Sequence, residues 1–175
     1  MEEVKNTLLR KRRYLDKYLL GFADAEGCFS VAIKRQAGTK FGLVVDPLFQ
    51  VTQHKNNMIV LELFRKVFSC GRIIEKSGQK DLAVFLVDNR RQLIEKIIPF
   101  FEKNKPLLKH GDFLKFKEIV IALENKEHVT KQGLEKLIKL AYRMNLEGKQ
   151  RRRKLEEVLS ELMQTGSSET IRQTP

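Results

Sequence analysis

The sequence has no apolar run near the roughly 18 residues that a membrane-spanning helix requires. Its N-terminal stretch lacks the apolar core and small-residue cleavage site of a secretory leader, so an intracellular chain is expected, neither secreted nor membrane-bound. Cysteine is scarce as well. Cys28 and Cys70 stand far apart in no metal-like spacing, which excludes a disulfide framework and predicts two reduced interior or strand thiols. His54, His110 and His128 show no ligand spacing either and read as ordinary surface or pocket residues. Acidic residues are outnumbered. With 34 Lys and Arg against 22 Asp and Glu, the formal net charge is +12, which points to a polyanionic partner and says little about fold. At 175 residues the chain suits one compact domain, alone or with tails.

The apolar pattern changes period along the chain. Leu15, Leu19 and Phe22 follow helical spacing, with Tyr18, Gly21 and Ala25 on the neighbouring face. After Gly27 the alternation is that of a strand: Phe29, Val31 and Ile33 on one row, Cys28, Ser30, Ala32, Lys34 and Gln36 on the other. A loop flanked by Gly38 and Gly42 precedes a second strand over residues 43–54, in which Pro47 argues for an edge position or a bulge. Residues 56–69 read as a helix, 71–76 and 82–87 as two strands joined by SGQKD, and 89–102 as a helix N-capped by Asp88 or Asn89. The order αββαββα predicts an α+β fold, one antiparallel sheet packed on helices. From Pro106 to about Gln164 the chain reads as further helices, with apolar stripes through Phe113–Leu123, Leu134–Met144 and Leu155–Met163. A basic lead-in over residues 1–13 and a Ser/Thr-rich tail over 165–175, expected to be disordered, flank a domain at 14–164.

Two features of the first helix require a cause. Gly21 costs a helix interior about 0.5–1 kcal/mol relative to alanine, and with Ala25 it leaves a groove bare of side chains that a second backbone can approach. Asp24 and Glu26 lie at the negative end of the helix dipole, where carboxylates are misplaced unless a cation binds. Gly27 is expected to cap the helix in a left-handed conformation.

The segment Leu19–Gly27, LLGFADAEG, resembles the LAGLIDADG signature of homing endonucleases, matching at Leu19, Gly21, Asp24, Ala25 and Gly27, with Glu26 in place of the last aspartate. FQVTQ at Phe49–Gln53 and KHGDFLKFKEIV at Lys109–Val120 are similar to later segments of the single-motif enzymes, so the resemblance covers roughly residues 14–125. It implies an αββαββα core with a curved antiparallel sheet lying along the DNA major groove, plus C-terminal helices. It also implies an intron-encoded, homodimeric enzyme of intron homing. Such an enzyme makes metal-dependent double-strand breaks in a long pseudo-palindromic target, in an archaeal cytoplasm or an organelle.

The resemblance assigns roles by position. Glu26 and the Ala25 carbonyl become ligands of Mg2+, with Mn2+ as an expected substitute and Ca2+ expected to bind without turnover. Glu26, Gln53 and Lys109 become the catalytic residues, with Lys105 as the second choice for the lysine. A basic residue expected four positions after Gln53 is Asn57 here, which leaves Lys55 or His54 to complete the pocket. Leu20, Gly21, Asp24 and Ala25 fall at the dimer interface, with Asp24 capping or bridging there. Two Glu26 carboxylates about 6 Å apart at an effective dielectric near 20 would repel by about 3 kcal/mol, which bound cations relieve.

Base contacts are expected from the outward strand rows, namely Ser30, Ala32, Lys34, Gln36, Asp46, Leu48, Gln50, Arg72, Ile74, Lys76, Asp81 and Ala83. Phosphate contacts are expected from Lys149, Arg151, Arg152 and Arg153, in a cluster predicted to open the last helix. Two other functions fit the same scaffold: a maturase that binds intron RNA, and a cleavage-inactive DNA-binding regulator. Intact Glu26, Gln53 and a nearby lysine favour the nuclease.

Overall fold

The computed structural model describes Thr7, residues 12–145 and residues 151–165. Helix α1 (Arg12–Glu26) leads directly into strand β1 (Gly27–Arg35), followed by β2 (Leu43–His54), a 3-10 turn (Lys55–Asn57) and α2 (Met58–Phe68). Then come β3 (Arg72–Lys76), β4 (Gln79–Val87) and α3, a continuous rod made of Arg90–Gln92, a π turn at Leu93–Ile97, and Ile98–Lys103. The order αββαββα is the expected one. Helices α4 (His110–Glu124), α5 (Lys131–Tyr142) and α6 (Leu155–Thr165) complete the chain. Among the described residues, no helix is long and apolar enough to cross a membrane.

The strands form one sheet in the order β1-β2-β4-β3, with β4 antiparallel to both β2 and β3. Strand β2 is therefore internal, although Pro47 suggested an edge. The β4 pairing begins at Phe49, opposite Val87, so Pro47 lies beyond the last β4 partner and removes no bond from that ladder. The turn between β3 and β4 is shorter than SGQKD implies, because Gln79, Lys80 and Asp81 already belong to β4. Gly78 takes a positive φ of 76° in that turn. In α3, Pro99 lacks the N–H that a regular turn would send back to Glu95, and the π turn ends just before it. Asn89 caps this helix, its side chain accepting the Gln92 N–H at 3.1 Å.

Two compact units are distinguishable. The first, residues up to Phe29 together with Leu48–Leu114, is built around phenylalanine. Phe49 is fully buried, with ring centroids at 5.2 Å from Phe29 and 5.3 Å from Phe101, and Phe64, Phe68 and Phe85 stack beside it. Edge-to-face and offset pairs of this kind each contribute about 0.5–1.5 kcal/mol beyond the area they bury. Leu15, Leu19 and Ala23 bury the inner face of α1 here, while Tyr18, Gly21 and Ala25 are exposed.

The second unit comprises Ser30–Pro47 and the residues from Lys115 onward. Its buried residues are Val31, Leu43 and Val45 on the strands and Phe116, Ile119, Val120, Leu134, Leu137, Ile138, Val158 and Leu162 on the helices. The α5 N-terminus is capped by Thr130, whose hydroxyl accepts the Gly133 N–H at 3.0 Å.

Candidate active site and reading face

The end of α1 is held by a reciprocal clasp. The Asp24 carboxylate accepts the backbone N–H groups of Leu107, Leu108 and Lys109 at 2.9–3.0 Å, the unpaired donors that precede helix α4. The Lys109 side chain returns the contact, with Nζ donating to the Asp24 carbonyl and, at 2.9 Å, to the Ala25 carbonyl. A lysine thus satisfies the negative end of α1 from a segment far away in sequence. Partial burial disfavours the charged form of Asp24, but the bonds from Leu108, Lys109 and Leu107 and the Lys109 charge outweigh it and hold the carboxyl below its usual range.

Glu26 is the last residue of α1, and its side chain is exposed. Gly27 follows, buried and in strand conformation. The left-handed cap expected there is absent, since Gly27 is not among the positive-φ residues. Its glycine is required by space: a Cβ would lie 2.5 Å from the Ala23 carbonyl oxygen. At Gly21 a Cβ would meet nothing within 4 Å. Leu20 is half-buried.

Gln53 is the penultimate residue of β2, on the row shared by Phe49 and Val51, and is half-buried. Its Oε1 accepts the His54 N–H at 2.8 Å and the Asn57 side-chain N–H at 3.5 Å, which leaves the Gln53 NH2 group as a donor with no partner among the described residues. Lys55 pairs with Glu75, and His54 caps the 3-10 turn through Nδ1. Of the two candidate lysines, Lys109 reaches α1, whereas Lys105 is exposed. Among the described residues no hydrogen bond joins Gln53 to Glu26 or Lys109.

No three His, Cys, Asp or Glu side chains gather into a metal cage among the described residues. At the end of α1, Glu26 offers an exposed carboxylate, and the Ala25 carbonyl, which accepts from Lys109 Nζ at 2.9 Å, keeps a second lone pair. That donor set fits magnesium, which takes one or two carboxylates and keeps waters or phosphate oxygens. Cys28 and Cys70 form no disulfide, and burial raises the pKa of each, opposed by Lys109 at Cys28 and by Lys96 at Cys70.

The strand rows differ from expectation at one point. Register places Gln50, Leu86 and Arg72 in one row across the sheet and Thr52, Val84 and Ile74 in the next. Ala83 stands opposite Gln53 and Glu75, on the other face, and is 1% exposed, so it cannot meet a base edge. The irregularity between Glu75 and Lys76 shifts the row, and nothing in the composition of the hairpin announces it. Asp81 is exposed, Leu48, Gln50 and Lys76 are half-buried, and Ile74 is 40% exposed. In the second unit Ser30 and Ala32 are half-buried, Gln36 is exposed, and Lys34 is paired with Asp46.

The basic cluster is not a uniform run. Lys149 lies outside the described residues, and the described cluster residues precede α6 instead of opening it. Arg151 is half-buried, donating to the carbonyls of Val31 at 2.9 Å and Ala141 at 2.7 Å with its guanidinium 4.6 Å from the Tyr142 ring centroid. Burial draws its pKa down. Arg153 pairs with Glu161, which also takes both the Nε and an Nη of Arg35. Arg151 and Arg153 therefore have partners within the chain, and Arg152 is exposed.

Comparison with known proteins identifies this arrangement. Residues 19–120 match the model of the LAGLIDADG endonuclease family. The chain belongs to that family. The DNA endonuclease I-CeuI of Chlamydomonas moewusii is 41% identical over 125 residues, which are 69% of this chain and 56% of that protein. The homing endonuclease I-ApeII of Aeropyrum pernix is 33% identical over 149 residues, 83% of this chain and 88% of the relative. An archaeal intron-encoded homing endonuclease, I-Vdi141I, solved in complex with DNA, superposes with a TM-score of 0.82 at 38% identity, covering 89% of this chain and 99% of that one. The α+β fold with its four-stranded sheet is thus that of the LAGLIDADG homing endonucleases.

Proposed function

We propose that the chain is an intron-encoded, site-specific DNA endonuclease that acts as a homodimer and makes double-strand breaks in a long pseudo-palindromic target. The observation that carries this is the clasp, which holds a lysine ammonium on the last carbonyls of the signature helix while Glu26 remains exposed one residue further on. Related proteins named as homing endonucleases, one of them solved on DNA, support the same reading.

Glu26 and the Ala25 carbonyl would hold Mg2+, or Mn2+ in its place, with Ca2+ binding unproductively. When bound, the cation supplies charge neutralisation at the phosphate, a more acidic water and stabilisation of the departing 3′ oxygen. Lys109, fixed by its bonds to α1, places positive charge beside the scissile phosphate or the attacking water. Gln53, its oxygen taken by the backbone, is left with N–H groups to orient water. The α1 face that carries Leu20, Gly21, Asp24 and Ala25 packs against its copy, bringing a second Glu26 for the second strand.

Cleavage of a randomised-site duplex library with magnesium tests this, with ends read by sequencing in wild type and Glu26→Gln. Defined double-strand breaks lost in the variant are expected. Tight binding without breaks in wild type would move the assignment to a DNA-binding regulator, and selective binding of a structured intron RNA would move it to a maturase.

A further inference from the structure

The outward strand row of the first unit carries an ion pair that the proposed catalysis does not use. Arg72, at the end of the Gln50–Leu86–Arg72 row, is gripped end-on by Asp88: Nη1 donates to Oδ1 at 2.7 Å and Nη2 to Oδ2 at 2.6 Å. The Arg72 side chain is 53% exposed and that of Asp88 36%, so water reaches the pair and it adds little to stability. The grip consumes two of the five guanidinium N–H groups. It leaves Nε–H and the adjacent Nη N–H parallel along one edge, the spacing that matches O6 and N7 of guanine.

A free arginine on this face could turn to any phosphate or base acceptor within reach. Asp88 removes that freedom twice over. It holds the planar fork in one orientation before DNA arrives, and its charge repels a phosphate that would otherwise compete for the same cation. The same pattern recurs independently in the second unit, where Lys34 on β1 is paired with Asp46 on β2.

Resting on the endonuclease reading, we infer that Asp88 is a specificity-determining residue, which orients Arg72 to read one guanine in each half-site and keeps it off the phosphate backbone. Its loss lowers discrimination while total DNA binding is kept or increased, since a carboxylate is removed from a basic surface.

The test is a binding selection from a randomised duplex library with the full-length chain in EDTA, so that bound DNA survives. Wild type, Arg72→Ala, Asp88→Asn and Asp88→Ala are compared for base preference at every position, and for binding to an unrelated duplex. Wild type should favour guanine at one position per half-site by about tenfold or more. Arg72→Ala and both Asp88 variants should flatten that same position, and the Asp88 variants should bind unrelated duplex at least as well as wild type. The inference is overturned if Asp88→Asn retains the preference that Arg72→Ala erases, or if Arg72→Ala changes no position. A wild type without preference anywhere would overturn the site-specific reading itself, a result distinct from either.

Discussion

Asp24 joins two segments that lie 83 to 85 residues apart in sequence, and its charge state decides whether three N–H groups are satisfied. Because its carboxyl is held below the ordinary range when folded, its contribution to stability is present above the unfolded pKa of about 3.9 and is lost as pH falls through the folded value. Urea titrations from pH 6 downward should show wild type losing stability below about pH 4, a loss diminished in Asp24→Asn. The same variant should lower the cleavage rate more than the affinity for DNA, because Lys109 is then less firmly placed.

The two glycines of α1 make opposite predictions. Gly27→Ala sets a methyl against the Ala23 carbonyl and should destabilise the chain by about 1–3 kcal/mol. Gly21→Ala meets open space and should stabilise the isolated chain by about 0.5–1 kcal/mol. If the exposed α1 face is where two copies meet, the Gly21 variant should nonetheless dissociate more readily in sedimentation experiments. Equal association of wild type and Gly21→Ala would exclude that face as the seam.

Among the elements, α1, β1, β2 and α2 were legible because each buries one face, so that the period of their apolar residues reports their geometry. The signature residues were legible for a different reason: an interior glycine and misplaced acids violate local preference, and such violations mark sites. What sequence could not supply was any relation between strands. Ala83 was misassigned because one irregularity at Glu75 and Lys76 moves a whole row to the other face. Arg151 reads as a phosphate contact because five of the six contiguous residues KQRRRK are basic. Its interior partners, two carbonyls and a ring, leave no trace in local composition. Arg151→Ala should cost about 2 kcal/mol or more, by removing charged donors from two carbonyls, and Arg151→Lys should restore little because an ammonium cannot serve both carbonyls and the ring. Thermal unfolding of the two variants checks this.

At the scale of the molecule, some of the 34 lysines and arginines are engaged by carboxylates before any partner arrives, although the net excess of 12 is untouched by such pairing. Lys34, Arg35, Lys55, Arg72 and Arg153 each hold a carboxylate. On the endonuclease reading, phosphate contact is expected first from exposed cations such as Arg152, Lys103 and Lys105. The slope of log affinity against log salt, about 0.9 per neutralised phosphate, should accordingly fall well short of what all 34 cations would give. Filter binding from 50 to 200 mM salt measures it.

The sequence contains no tryptophan and three tyrosines. Tyr142 is half-buried, its hydroxyl donating to the Arg153 carbonyl beneath the Arg151 guanidinium. Tyr14 and Tyr18 lie on α1, 66% and 41% exposed, Tyr18 on the face that carries Gly21 and Ala25. The native chain consequently holds its own optical reporter: ultraviolet emission arises from tyrosine alone, and two of the three emitters sit on the helix that would be covered. Dilution through the association range should shift that emission and its quenching by iodide without any label, in proportion to the fraction of chains whose first helix is uncovered.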